Sequence, residues 1–181
     1  MEFRKMRRFK QELDHETCVE IINRATSGVL SVLGDGGYPY GVPLSYVYVD
    51  GETEKDEAGF TGRAVFYFHC AKTGHKIDAL RACYKACFTV IDRDDVVADE
   101  FTTYFRSVVA FGHAKILETR EEMMPAIQLL AKRYSPDESE DSRNHEIERE
   151  FPGLAMIEFT VDHMTGKEAI ELVRKREEFE E

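Results

Sequence analysis

The chain has 181 residues, 43% hydrophobic and 33% charged, an ordinary balance for a globular protein with a real core. Its formal net charge of −11 opposes general nucleic-acid binding, which needs clustered Lys and Arg against phosphates. No apolar run approaches the ~20 residues of a membrane helix, and no apolar stretch follows the charged start of a secretory signal, so a cytoplasmic protein with reduced thiols at Cys18, Cys70, Cys83 and Cys87 is expected.

Residues 1–13 read as an arm, basic and then mixed. Asp14 or His15 starts a helix with Val19, Ile21, Ile22 and Ala25 on one apolar face, and Gly28 ends it. Val29–Leu33 reads as a buried strand, followed by a reversal at Asp35, Gly36 and Gly37. A Tyr- and Val-rich strand runs from Tyr38 to Val49, interrupted by Pro39 and Pro43. Proline cannot donate to a ladder, so this strand lies at an edge, bulged or kinked. The break admits a plain edge strand, or backbone around Gly41, Val42, Pro43, Leu44 and Ser45 freed to face a ligand.

Asp50 and Gly51 open a loop lengthened by an acidic insert to Gly62, and Ala64–His69 forms the next strand. Small residues at Ala71, Thr73 and Gly74 turn it into a helix over Gly74–Ala82. Ala86–Ile91 reads as a short strand, Asp92–Asp99 as an acidic loop, and Tyr104–Leu117 as a long strand bulged at Gly112. Thr119 and Glu122 make a capping box for a helix to Tyr134, apolar along Met123, Ala126, Ile127, Leu130 and Ala131. Residues 135–150 read as an acidic loop with one helical turn at most. Leu154–Val161 is the last strand, Thr165–Lys167 a turn, and Glu168 starts a helix that frays into an acidic tail. The order predicts one mainly β domain over 1–181, an antiparallel barrel with peripheral helices, an arm at 1–13 and a tail at 168–181.

Several chemistries lack their motif. The cysteines and histidines show no metal-ribbon spacing, no G-x-S-x-G elbow is present, and neither a P-loop nor G-x-G-x-x-G occurs. The stretch from Phe66 to Leu80 stands apart: an aromatic strand, a small-residue turn, then a helix start ringed by Lys72, His75 and Lys76. Free N–H groups at a helix start suit an anion such as a phosphate. The residues alone leave two readings open, an anion turn beside a ring-binding wall or an ordinary turn with solvated lysines. His69 on such a strand reads as a core-edge histidine satisfied by hydrogen bonds.

His69, Ala71, Gly74, Lys76, Ala79 and Leu80 resemble the H-x-A-x-x-G-x-K-x-x-A-L signature of the flavin-binding split-barrel family related to pyridoxamine 5′-phosphate oxidase. Gly28–Leu33 with Tyr38–Tyr46, Ser107–Ala114, and Met156–Val161 with Thr165–Lys167 resemble its other strands, so the likeness covers residues 15–170 in order. The chain is most similar to the 5-nitroimidazole-resistance branch and lacks the Arg-rich pattern of the oxidase itself. The resemblance implies a six-stranded antiparallel split barrel with FMN at a homodimer interface. Val42, Pro43, Leu44 and Ser45 would border the flavin ring, and Phe68, His69, Cys70 and Ala71 would line its ring and ribityl side. Gly74, His75 and Lys76 would hold the phosphate, Ser107 and Arg106 would reach in from the partner, and His69 would deliver a proton or touch substrate. It further implies electron or hydride transfer from a reduced nicotinamide to a small acceptor, a nitroaromatic among the candidates. A flavin-storage protein and a haem- or deazaflavin-binding barrel are its alternatives.

Overall fold

The structure is a computed structural model and describes residues 2–51 and 63–180. The acidic insert expected over 52–62 lies outside the described residues. The chain opens with a two-residue strand β1 (Glu12–Leu13) and helix α1 (His15–Arg24), capped by the Asp14 carboxylate accepting from the Thr17 N–H at 2.8 Å. Strand β2 (Ser27–Leu33) follows, then β3 (Pro39–Ser45), β4 (Val47–Val49), β5 (Val65–Ala71) and helix α2 (His75–Ala82). The long strands β6 (Lys85–Val97) and β7 (Thr102–Leu117) lead to helices α3 (Arg120–Tyr134) and α4 (Glu140–Glu150). Strand β8 (Leu154–Glu168) and helix α5 (Ile170–Glu180) complete the chain.

All strand pairings are antiparallel, in the order β3-β2-β6-β7-β8-β5-β4, with β1 paired to β8. The two ends of that sheet, β3 and β4, are halves of one stretch of chain broken only at Tyr46. The hydrogen-bonded sheet is open, yet covalent continuity through Tyr46 curls it into a barrel. Taken as one strand, β3 and β4 give the six barrel strands expected, and the two prolines do sit on an edge.

Alternation along the strands decides which side chains fill the interior. Leu30, Phe66, Phe68, Phe88, Val108 and Phe159 point inward and are almost wholly buried. Helix α1 closes the barrel with Cys18, Ile21 and Ile22, and α2 adds Ile77 and Leu80 to the same cluster. The opposite face of β4, β5 and β8 carries Val47, Val65, Tyr67 and Met156, which pack against Met123, Ala126 and Leu130 of α3. Gly112 sits where the β7–β8 register shifts, and a side chain there would meet the Thr160 carbonyl.

Three segments differ from the sequence reading. Strand continues to Val97 because Arg93–Val97 pair with Thr102–Arg106 beyond a register shift at Asp92, while Asp92 and Asp95 are ion-paired to Arg24 and Arg93. Strand β8 passes through the expected turn at Thr165–Lys167, where Gly166 gives Cys18 and Leu13 close approach. Residues 140–150 are helix, started by the Ser139 hydroxyl accepting from the Ser142 N–H at 3.1 Å.

The capping box of α3 forms as read, with Thr119 and Glu122 satisfying each other's backbone. Lys115 and the N–H groups of Glu118 and Thr119 hold the Glu122 carboxyl down to about 2. A depressed carboxylate contributes stability above its unfolded pKa and loses it as pH falls through the folded value. Glu122→Gln is therefore expected to lose stability relative to the parent at neutral pH, and the difference to vanish below about pH 2, in thermal melts across pH.

Candidate functional site

The barrel is slit between β3 and β5. Pro39–Ser45 pair with β2 and Val47–Val49 pair with β5, while Tyr46 belongs to neither ladder. Two strand edges diverge from Tyr46: the outer edge of β3, and the edge of Phe68–Ala71 beyond the β4 pairing. Among the described residues neither edge meets another strand, so its backbone N–H and C=O groups are available to water or a ligand.

Tyr134, the last residue of α3, fixes the vertex of the slit. Its hydroxyl accepts from the Tyr46 N–H at 3.0 Å and lies 2.6 Å from the Thr26 carbonyl, to which it donates. The buried Tyr46 hydroxyl in turn donates to the Ile22 carbonyl at 2.7 Å. Nothing in the hydrophobic pattern of α3 marks Tyr134 for this role, because it acts through one polar atom at a helix end. Tyr134→Phe strands the Tyr46 N–H and the Thr26 carbonyl, and is expected to cost about 1–3 kcal/mol, read by denaturant unfolding.

The far end of the slit is bridged by the start of α2. The His75 ring stacks on Tyr40 of β3 at 4.2 Å and 14°, and its Nε2 accepts from the Asp35 N–H at 3.3 Å. That side chain is thereby spent on fastening α2 to the β2–β3 turn, leaving its backbone N–H for a ligand. Gly74 has φ 125°, a conformation L side chains rarely adopt, and the space around it is open. Its carbonyl accepts from Ile77 and Asp78 at 2.9 and 3.1 Å, so the His75 and Lys76 N–H groups precede the first intrahelical bonds. Lys76 reaches back to Cys70 on β5. Burial pushes the Cys70 thiol up, while the Lys76 ammonium, hydrogen-bonded to the sulfur, pulls it down.

The pleat divides the four residues expected to line one surface. Phe68 is fully buried in the barrel, 4.9 Å from the Phe88 ring, so it offers a ligand its backbone only. Cys70 packs on the same interior cluster, whereas His69 and Ala71 are exposed on the opposite side. Along β3, Val42 and Leu44 are half-buried and Pro43 and Ser45 exposed. His69 and Ser45 open into a cleft of about 1020 Å³ between the slit and the helices α3 and α4.

Arg106 and Ser107 lie elsewhere in the chain. β7 is separated from the β3 edge of the slit by β6 and β2, and from the β5 edge by β8. The Arg106 guanidinium donates to the buried Glu168 carboxylate at 2.8 and 3.2 Å and lies 3.9 Å from Asp92. Arg176 pairs with the other Glu168 oxygen at 2.9 Å, without the alignment of a hydrogen bond. Ser107 sits between Ile91 and Lys167 on the outer face of the barrel. Among the described residues no helix is long and apolar enough to cross a membrane.

An antiparallel barrel of six strands, slit along one seam and closed at its end by a helix start, defines the split-barrel class. The pyridoxamine 5′-phosphate oxidase family model matches residues 14–168, and the chain belongs to that family. No curated protein matches the chain. Among solved structures, a conserved hypothetical protein of Mycobacterium tuberculosis is 15% identical, with 91% of this chain and 90% of that one covered and a TM-score of 0.71. A candidate 5-nitroimidazole antibiotic resistance protein of Bacteroides thetaiotaomicron is 22% identical over 86% and 85%, with a TM-score of 0.62. An FAD- and haem-binding protein of Mycobacterium smegmatis is 17% identical over 88% and 73%, with a TM-score of 0.61. At such identities these likenesses carry the fold.

Proposed function

We propose that the slit binds a flavin, FMN in particular, and that the protein is an FMN-dependent oxidoreductase. It would take electrons or hydride from a reduced nicotinamide and pass them to a small acceptor, with nitroaromatics among the candidates. The observation that carries this reading is the pair of unpaired strand edges running from Tyr46 to a turn holding Gly74, Lys76 and a helix start. One terminal phosphate fits that turn, which favours FMN over a dinucleotide. A flat heteroaromatic ring with donors and acceptors on its rim fits backbone edges that offer both. The flavin would supply the hydride or single-electron chemistry.

The chain's own residues bind, orient and exclude water. Lys76 and the N–H groups of His75 and Lys76 hold the phosphate, while the backbone of Pro43–Ser45 and Phe68–Ala71 orients the ring. Val42 and Leu44 keep the inner side dry. His69 would deliver a proton or touch substrate where slit and cleft meet, with no second acid or base required. Ser107 and Arg106 would reach the site only from a second copy. Support for a homodimer comes from the outer face of β2, β6 and β7, where Leu33, Ile91 and Phe111 are exposed.

Anaerobic stopped-flow mixing of the flavin-loaded protein with reduced nicotinamide, then with an acceptor panel, tests the enzyme reading. Bleaching of the flavin by the donor and its return with an acceptor is expected. Flavin that binds but is reduced by no donor would favour a storage role. A Soret band after haem addition with no flavin bound would favour the haem reading, which the M. smegmatis likeness keeps in view.

A further inference from the structure

We infer that the cleft between the slit and helix α4 is the substrate site, and that its substrate is an aromatic compound carrying positive rather than negative charge. The inference rests on the flavin reading only in placing a redox partner beside the cleft. Its volume of about 1020 Å³ is at the upper end of small-molecule sites, roughly 300–1,000 Å³. Ile127 and Leu130 of α3, Ile147 of α4 and Leu154 of β8 give it an apolar wall suited to a ring.

The rim sets the charge. Glu138, Asp141, Glu146 and Glu150 line it. Against these four carboxylates stand Arg143 within the cleft and Arg149 beside it, which pairs with both Glu146 and Glu150. Arg143 donates through Nη1 to the Ser135 and Glu138 carbonyls, which ties that nitrogen to the α3–α4 turn. Two negative charges remain in excess, in a concave site where such a surplus attracts cations and repels phosphates or carboxylates. The apolar wall therefore selects a ring and the rim selects its sign. His69 and Ser45, shared by slit and cleft, stand where a ring in the cleft would approach a group in the slit. The anionic substrate of a pyridoxamine phosphate oxidase would be disfavoured here.

The test titrates the full-length protein, with and without FMN, using 1-naphthylmethylammonium and 1-naphthoate, one ring with opposite charges. The ammonium is expected to bind at least about tenfold more tightly at low ionic strength, the ratio shrinking as salt is added. Asp141→Lys with Glu150→Lys, both at exposed positions, is expected to invert the preference. The neutral pair Asp141→Asn with Glu150→Gln, expected to level it, serves if the reversal disturbs folding. Ala131→Phe fills the wall and is expected to abolish binding of both probes. Equal or tighter naphthoate binding, or an ammonium affinity untouched by rim and wall variants alike, overturns the inference. Flavin affinity measured in the same samples separates the two readings. Bound FMN without probe selectivity removes the cleft proposal alone, and selective probe binding without FMN removes the flavin reading alone.

Discussion

Lys76→Ala is expected to weaken FMN binding by about 10- to 100-fold while leaving the fold in place. A cation in the first turn of a helix faces the positive end of the helix dipole, so Lys76 is electrostatically disfavoured where it stands. Among the described residues its one polar engagement is the sulfur of Cys70, a weak acceptor. A structural role would call for a carboxylate partner or a buried stem, and half-buried Lys76 shows no such carboxylate among the described residues. A phosphate would supply the missing partner. Hydrogen bonds to a charged group contribute about 1.5–3 kcal/mol, which converts to the stated loss of affinity. Removing the lysine should change stability by less than about 1 kcal/mol, since it also relieves the clash with the dipole. Fluorescence titration with FMN alongside urea unfolding checks both halves. Equal flavin affinity in variant and parent would remove Lys76 from the site.

Gly112→Ala carries the largest stability effect. A Cβ at this position would stand 2.0 Å from the Thr160 carbonyl oxygen and 3.0 Å from the Phe159 ring, inside the packed barrel. The oxygen belongs to the backbone of β8, so the strand itself must move. The β7–β8 register shifts at Phe111 and Gly112, and the strand bends there around the core. Overpacking of this kind is expected to cost about 3 kcal/mol or more, against a total of about 5–15. For a chain of this size that lowers Tm by about 6–12 °C or prevents folding outright. Gly153→Ala, whose Cβ would meet nothing within 4 Å, is the matched control and should fall within about 0.5 kcal/mol.

Hydrophobic period and cap chemistry made most of the fold readable. The Thr119–Glu122 box placed α3, and Pro39 and Pro43 placed an edge, because both are rules about backbone hydrogen bonds that hold regardless of context. Helix α4 was hidden for the opposite reason. It buries Ile147 alone, so it has no apolar stripe, and its remaining signal is a Ser139 cap ahead of Glu140 and Asp141. Asp92–Val97 read as loop because aspartates are depleted in strands, yet ladder pairing and ion pairs with Arg24 and Arg93 override that preference.

The site divided along similar lines. Gly74 and Lys76 were legible because a positive φ and a cation at a helix start are local properties. That His75 would be stacked on Tyr40, or Tyr134 placed at the slit's vertex, depends on elements distant in sequence. No local pattern encodes those meetings. The resemblance put Phe68 and His69 on one surface, but the pleat turns neighbouring side chains to opposite faces, so the Phe68 ring is buried and His69 reaches solvent.

The central claim is that the slit between β3 and β5 is a flavin site. Titration of the purified full-length protein with FMN, followed by quenching of flavin fluorescence and by the visible spectrum, tests it most directly. One FMN per chain, saturating and bound more weakly by Lys76→Ala, is the predicted result. A protein that folds and melts cooperatively yet leaves FMN fluorescence unchanged would contradict it.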